Sequence, residues 1–147
     1  MWGHECCRVF QDRLVSMEDH AIFQKCLDDV CVNELKTTWE KTKGPTSPLL
    51  YGNFSNIQLD EEKRTYVEMG DHDVLQTACR EYLDDYNATS KKPMDLVLFM
   101  DAISHCSRIA RIIQQPYGNA LLVGVGGSGR RSLTELVSKI KSDTGAM

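Results

Sequence analysis

A chain of 147 residues, 41% hydrophobic and 26% charged with a formal net charge of −4, has the make-up of a globular protein and excludes a fibrous repeat or wholesale disorder. The uncharged run Ile112–Gly129 is broken by Gln114, Gln115, Pro116, Asn119 and five glycines, which excludes a transmembrane helix. Met1–Arg8 holds no apolar core, so no secretory signal is expected.

In chain order, His4 to Val15 reads as a first helix with Cys7, Phe10, Leu14 and Val15 on one face. Ser16-Met-Glu-Asp19 is a helix start, with a serine oxygen for the orphan amides and two acids for the dipole. The second helix then runs to about Trp39 with Phe23, Leu27 and Val30 along its apolar face, giving a helical hairpin. Lys43-Gly-Pro-Thr-Ser-Pro48 ends it and is the best boundary between domains. Leu49 to Phe54 is expected to be irregular. A third helix spans about Asp71 to Tyr86, striped by Leu75, Ala78, Tyr82 and Tyr86, and Asn87 to Pro93 closes it. Met94 to Gln114 predicts a long apolar helix with Arg108 and Arg111 exposed near its end. Asn119-Ala-Leu-Leu-Val-Gly124 suits a buried parallel strand, and Arg130 to Lys141 a helix with Leu133, Leu136, Val137 and Ile140 at helical spacing.

The six cysteines include no C-x-x-C, and His4-Glu5 lacks the second histidine of a zinc helix, so they read as reduced, mostly buried thiols with no metal site. Charge is uneven. Residues 1–90 carry nine basic and 17 acidic groups, whereas residues 91–147 carry eight basic and four acidic, so the C-terminal part is the one to meet an anion. Its basic residues sit at helix ends without interleaved aromatics, which disfavours nucleic acid.

Between the expected strand and the last helix lies Gly124-Val-Gly-Gly-Ser-Gly129. The pattern G-x-x-x-x-G-K-[ST] binds nucleotide phosphates because its glycines let successive amides curl inward at a helix N-terminus already favourable to negative charge. Gly124 and Gly129 occupy its glycine positions, and Gly126, Gly127 and Ser128 complete the curl. Arg130 stands for the lysine and keeps the charge on a planar fork. Arg131 stands where a hydroxyl would ligate magnesium, with Ser132 one place late, which argues against magnesium there. A dinucleotide-binding G-x-G-x-x-G fits less well, because the ribose-binding acid and second strand it needs are missing. The plainer alternative is a Gly/Ser turn with solvated arginines.

Leu96-Val-Leu-Phe-Met-Asp-Ala-Ile-Ser-His-Cys-Ser-Arg-Ile-Ala-Arg-Ile-Ile113, followed by Gln115-Pro-Tyr-Gly-Asn-Ala-Leu-Leu-Val-Gly-Val-Gly-Gly-Ser-Gly-Arg-Arg-Ser-Leu133, resembles the start of the fourth AAA+ module of a dynein heavy chain. His4-Glu-Cys-Cys-Arg-Val-Phe-x-Asp12-Arg13-Leu14, with Glu18-Asp19 after it, is similar to the closing helices of the third. The Gly-Gly-Ser-Gly-Arg form of the loop is similar to axonemal heavy chains; Arg131, where that family usually has glutamine, is this chain's own departure. The resemblance implies a six-module ring that turns ATP hydrolysis into movement along microtubules in cilia and flagella, with the fourth module a secondary, regulatory nucleotide site.

The fold class expected is therefore mainly α with an incomplete α/β portion. Residues 1–42 are expected to form the helical end of one AAA+ module, 43–60 a Pro/Gly linker, and 61–147 the N-terminal part of a following P-loop module. On length, the resemblance implies a fragment or truncated product without a Walker B strand. ATP or ADP binding by Gly124, Gly126, Gly127, Ser128, Gly129, Arg130, Arg131 and Ser132 is expected to be weak or absent, with no catalytic residue and little or no ATPase activity. The implied partners are the rest of the motor ring and other dynein subunits, with microtubules reached only through parts outside this sequence, in the cytoplasm, cytoskeleton and axoneme; neither nucleic acid nor membrane is expected. The alternative is a small helical interaction domain with an incidental glycine turn, presenting Phe23, Leu27 and Val30 to a partner. Asp12 and Arg13 read as a structural ion pair or a solvated face rather than a trans-acting finger.

Overall fold

The computed structural model describes residues 1–43, 48–55 and 63–143, in two units, residues 1–49 and 50–147. Residues 44–47, most of the expected joint Lys43–Pro48, and the acidic stretch 56–62 lie outside the described residues.

In the first unit, α1 spans Trp2–Val9, and the chain leaves it through a 3₁₀ turn at Gln11–Arg13. The helix expected to reach Val15 stops short because Ser16 must take extended backbone to cap the next one. Leu14 is already extended at ψ 140°, and the His20 ring bonds to both the Leu14 carbonyl and the Gln11 amide. Phe10 and Val15 are consequently exposed while Cys7 is buried. Asp12 pairs with Arg8 one turn earlier at 3.2 Å, while Arg13 is exposed, so of the two readings for Asp12 and Arg13 the ion pair goes to Arg8 and the solvated face to Arg13.

Helix α2, Met17–Asn33, starts as expected, Ser16 Oγ accepting from the Asp19 amide at 3.0 Å. It does not reach Trp39. The Thr37 amide bonds back to the Cys31 carbonyl around Lys36, whose φ of +54° is left-handed, so an orphan carbonyl is satisfied by a turn with no glycine to announce it. Helix α3, Trp39–Lys43, begins where Asp28 Oδ1 accepts the Trp39 amide at 2.9 Å. The buried core of this unit is Cys7, Leu27, Cys31 and Trp39, with Cys6, Phe23 and Leu49 packed on it.

In the second unit the expected irregular stretch from Leu49 instead contains a strand. β1, Tyr51–Gly52, pairs antiparallel with β2, Val67–Glu68, Tyr51 opposite Glu68 and Gly52 opposite Val67. Flanking side chains explain it: Leu50, Phe54 and Met69 are all buried, and Gly52 leaves room for the Met69 thioether, whose Sδ would lie 2.9 Å from a Cβ there. Helix α4, His72–Thr89, is capped by Asp71, which accepts the Asp73 and Val74 amides at 3.1 Å, and it runs almost a turn beyond the expected Tyr86.

Residues 94–99 are not helical, contrary to the pattern, and α5 is only Met100–Ile113. The Asn87 amide clamps Met94 on both sides, accepting from its N–H at 2.7 Å and donating to its carbonyl at 2.9 Å, and Gln76 donates to the Leu98 carbonyl at 2.6 Å. These bonds satisfy backbone groups that a helix would otherwise have claimed. The strand expected at 119–124 is likewise not formed. Leu121, Val123 and Val125 are 90%, 84% and 80% exposed, and among the described residues no strand pairs with this run. Helix α6, Arg130–Asp143, starts as expected and lays Leu133, Leu136, Val137 and Ile140 into one core with Leu75, Cys79 and Tyr82 of α4 and Ile103, Cys106 and Ile109 of α5. The whole is mainly helical with a small two-stranded sheet. Among the described residues no helix is long and apolar enough to cross a membrane.

Candidate phosphate loop

The chain enters the loop from the exposed Leu121–Val123 run and leaves it as α6. Two of its glycines need to be glycine: Gly127 and Gly129 have φ of +79° and +74°. Around these turns Ser128 N–H reaches the Val125 carbonyl at 3.4 Å, and Leu133 N–H closes the first bond of α6 on the Gly129 carbonyl at 2.9 Å. The amides of Arg130, Arg131 and Ser132 precede the first intrahelical donor, the Leu133 N–H, and Gly129 has no side chain with which to cap them. They are donors at the positive end of a helix dipole.

Gly127, Ser128, Gly129, Arg130, Arg131 and Ser132 line one concavity of about 350 Å³. Of the eight expected phosphate-binding residues, Gly124 and Gly126 do not line it. Gly124 serves it indirectly: a Cβ there would stand 3.1 Å from Ser128 Oγ, a tight approach, so its bareness leaves room for that hydroxyl.

Neither arginine points freely at the concavity. Arg130 donates from Nη2 to the Val125 carbonyl at 3.1 Å, bracing the turn. Arg131 donates from Nε to Glu135 Oε1 at 2.8 Å, and the other oxygen of Glu135 accepts from the Tyr86 hydroxyl of α4 at 3.3 Å. The Arg131 bond holds the Glu135 carboxyl below its usual range and raises the guanidinium further. Glu135 and Tyr86 were not among the expected site residues; the one sequence signal for Glu135 was its position four residues after Arg131.

The face expected to meet a partner turns inward. Leu27 is buried, Phe23 packs against the first unit's core, and only Val30 is exposed, because the stripe is Phe23–Leu27–Cys31 at four-residue spacing. Among the described residues no group of three or more His, Cys, Asp or Glu could hold a metal.

Residues 94–144 match the family described as P-loop containing dynein motor region D4. Over 140 residues, 95% of its length, the chain is 43% identical to human dynein axonemal heavy chain 6. It is 44% identical to human dynein axonemal heavy chain 1 over 94% of its length, and 43% identical to mouse dynein axonemal heavy chain 2 over 95%. Along nearly all of its length the chain is thus similar to one short stretch of axonemal dynein heavy chains. The chain spans 3% of the length of these relatives. The dynein motor-region match begins at Met94, the residue clamped by Asn87, and takes in α5, the glycine loop and α6.

Proposed function

We propose that this chain is a nucleotide-binding stretch of an axonemal dynein motor, in which the glycine loop holds the phosphates of ATP or ADP. On this reading residues 1–42 are the helical end of the third AAA+ module, 43–60 a joint, and 61–147 the opening of the fourth, a regulatory module in a ring that works on microtubules in the axoneme. Its partners are then the rest of that ring and the other dynein subunits.

The observation that carries the reading is the left-handed pair Gly127 and Gly129 leading straight into the uncapped N-terminus of α6. That backbone offers amides and a helix dipole to an anion, and Arg130 adds charge once it leaves the Val125 carbonyl. Binding, not hydrolysis, is what these groups supply. Phosphoryl transfer needs an acid to hold magnesium and a group to orient water, and the loop contains neither. Arg131 has no hydroxyl for magnesium, so nucleotide affinity is expected to depend little on that ion.

The test is an ATP titration of the 147-residue chain followed by backbone amide resonances, with and without magnesium. Shifts confined to residues 127–132 and abolished by Gly129→Val support the reading. Unmoved loop amides, or magnesium-dependent turnover lost in Gly129→Val, would contradict it.

A further inference from the structure

Arg131 lines the loop concavity, yet its guanidinium is committed elsewhere. Glu135, one turn along α6 and away from the loop, accepts its Nε–H at 2.8 Å, and the Tyr86 hydroxyl fixes that carboxylate from α4 at 3.3 Å. The two ends of this pair differ in freedom. Glu135 is only 35% exposed and sits in a second cleft of about 440 Å³ with Tyr86, Thr89 and Lys139, whereas the Arg131 side chain is 82% exposed. Arg131 is therefore the end that can swing.

Resting on the nucleotide reading above, we propose that Glu135, anchored by Tyr86, holds Arg131 off a phosphate-bearing ligand in the loop concavity, so that breaking this pair tightens the site's grip on polyphosphate. Glu135 engages only the Nε–H of Arg131, so what it withholds from a phosphate is the direction of the side chain: the bond draws the guanidinium along α6, and a two-pronged grip on phosphate needs it turned back over the loop. An exposed ion pair four residues apart on a helix is worth little, which makes the exchange shallow: freeing Arg131 is expected to raise affinity roughly two- to fivefold. Arg131 thus becomes a further phosphate-binding residue, and Glu135 its positioning partner.

The experiment measures ATP affinity in the full chain for the wild type, Glu135→Gln, Arg131→Gln and the double variant, with circular dichroism to check the fold. Tyr86→Phe reads the same release without a change of charge. Tighter binding in Glu135→Gln, lost when Arg131→Gln is added, supports the proposal, including the case in which the wild type is silent and Glu135→Gln binds. A gain that survives in the double variant overturns it, because removing any negative charge would then suffice. Absence of a gain in both Glu135→Gln and Tyr86→Phe, beside a wild type that binds, overturns it while leaving the nucleotide reading intact. If neither the wild type nor any variant responds to ATP, both fall.

Discussion

Gly3 lies so close beneath the Trp39 ring that a Cβ there would meet Cζ3 at 2.2 Å and Cη2 at 2.6 Å. Alanine is the better helix former by about 1 kcal/mol, yet the indole is buried and closes the first unit's core, so it has little room to retreat. Overpacking should win: Gly3→Ala is expected to destabilise residues 1–49 by about 1–3 kcal/mol. Both tryptophans, Trp2 and Trp39, belong to this unit, so indole fluorescence in a denaturant series reads it directly. An unchanged or higher midpoint would show that the ring gives way. Nothing in the sequence around Gly3 announces this role, because its cause is a ring far along the chain. Gly127 and Gly129 were legible for the opposite reason: their requirement is in their own dihedrals and in the spacing of a local motif.

Capped helix beginnings were readable, and the other helix limits often were not. Ser16 and Asp71 cap from within three residues, so the signal is local. The end of α2 came from a backbone bond around a left-handed lysine, and the late start of α5 from side chains on another helix. Asn87 is the clearest case. Asn87→Ala removes both bonds to Met94 and leaves a half-buried backbone pair to find water, at a cost of about 1–3 kcal/mol. Chemical denaturation followed by tyrosine fluorescence, all five tyrosines lying in residues 50–147, would register it; no loss would mean that Gln76 and the buried Leu98 suffice to keep 94–99 out of the helix.

The α4–α5 seam makes a second prediction. Burial pushes the Cys79 and Cys106 thiols from 9.0 to about 12, so the folded chain keeps them protonated where the unfolded chain has lost the protons. Stability from this source is complete below about pH 9 and declines as pH rises toward 12, because the unfolded state then binds fewer protons. Replacing both with alanine should flatten that alkaline decline, although the neutral-pH stability falls through lost packing. An equally steep decline in the variant would assign it to other groups.

At the scale of the molecule, the interior of helices predicted what was buried, and the expected strand did not. Leu121 to Val125 has the composition of a parallel strand, but a strand exists only where neighbouring backbones accept its amides and carbonyls. With no such neighbour among the described residues, the same apolar side chains face water. A run of this kind is an edge for self-association, since another copy can supply the missing pairing. Leu121→Lys together with Val123→Lys should therefore shift the chain toward monomer in sedimentation velocity. Because neither side chain contributes to the core, unfolding stability should change by no more than about 0.5 kcal/mol for each substitution. A larger loss would mean that the run is packed in solution after all, and an unchanged association state would move the sticky surface elsewhere, with the exposed Phe10, Val15 and Met17 of the first unit the next residues to test.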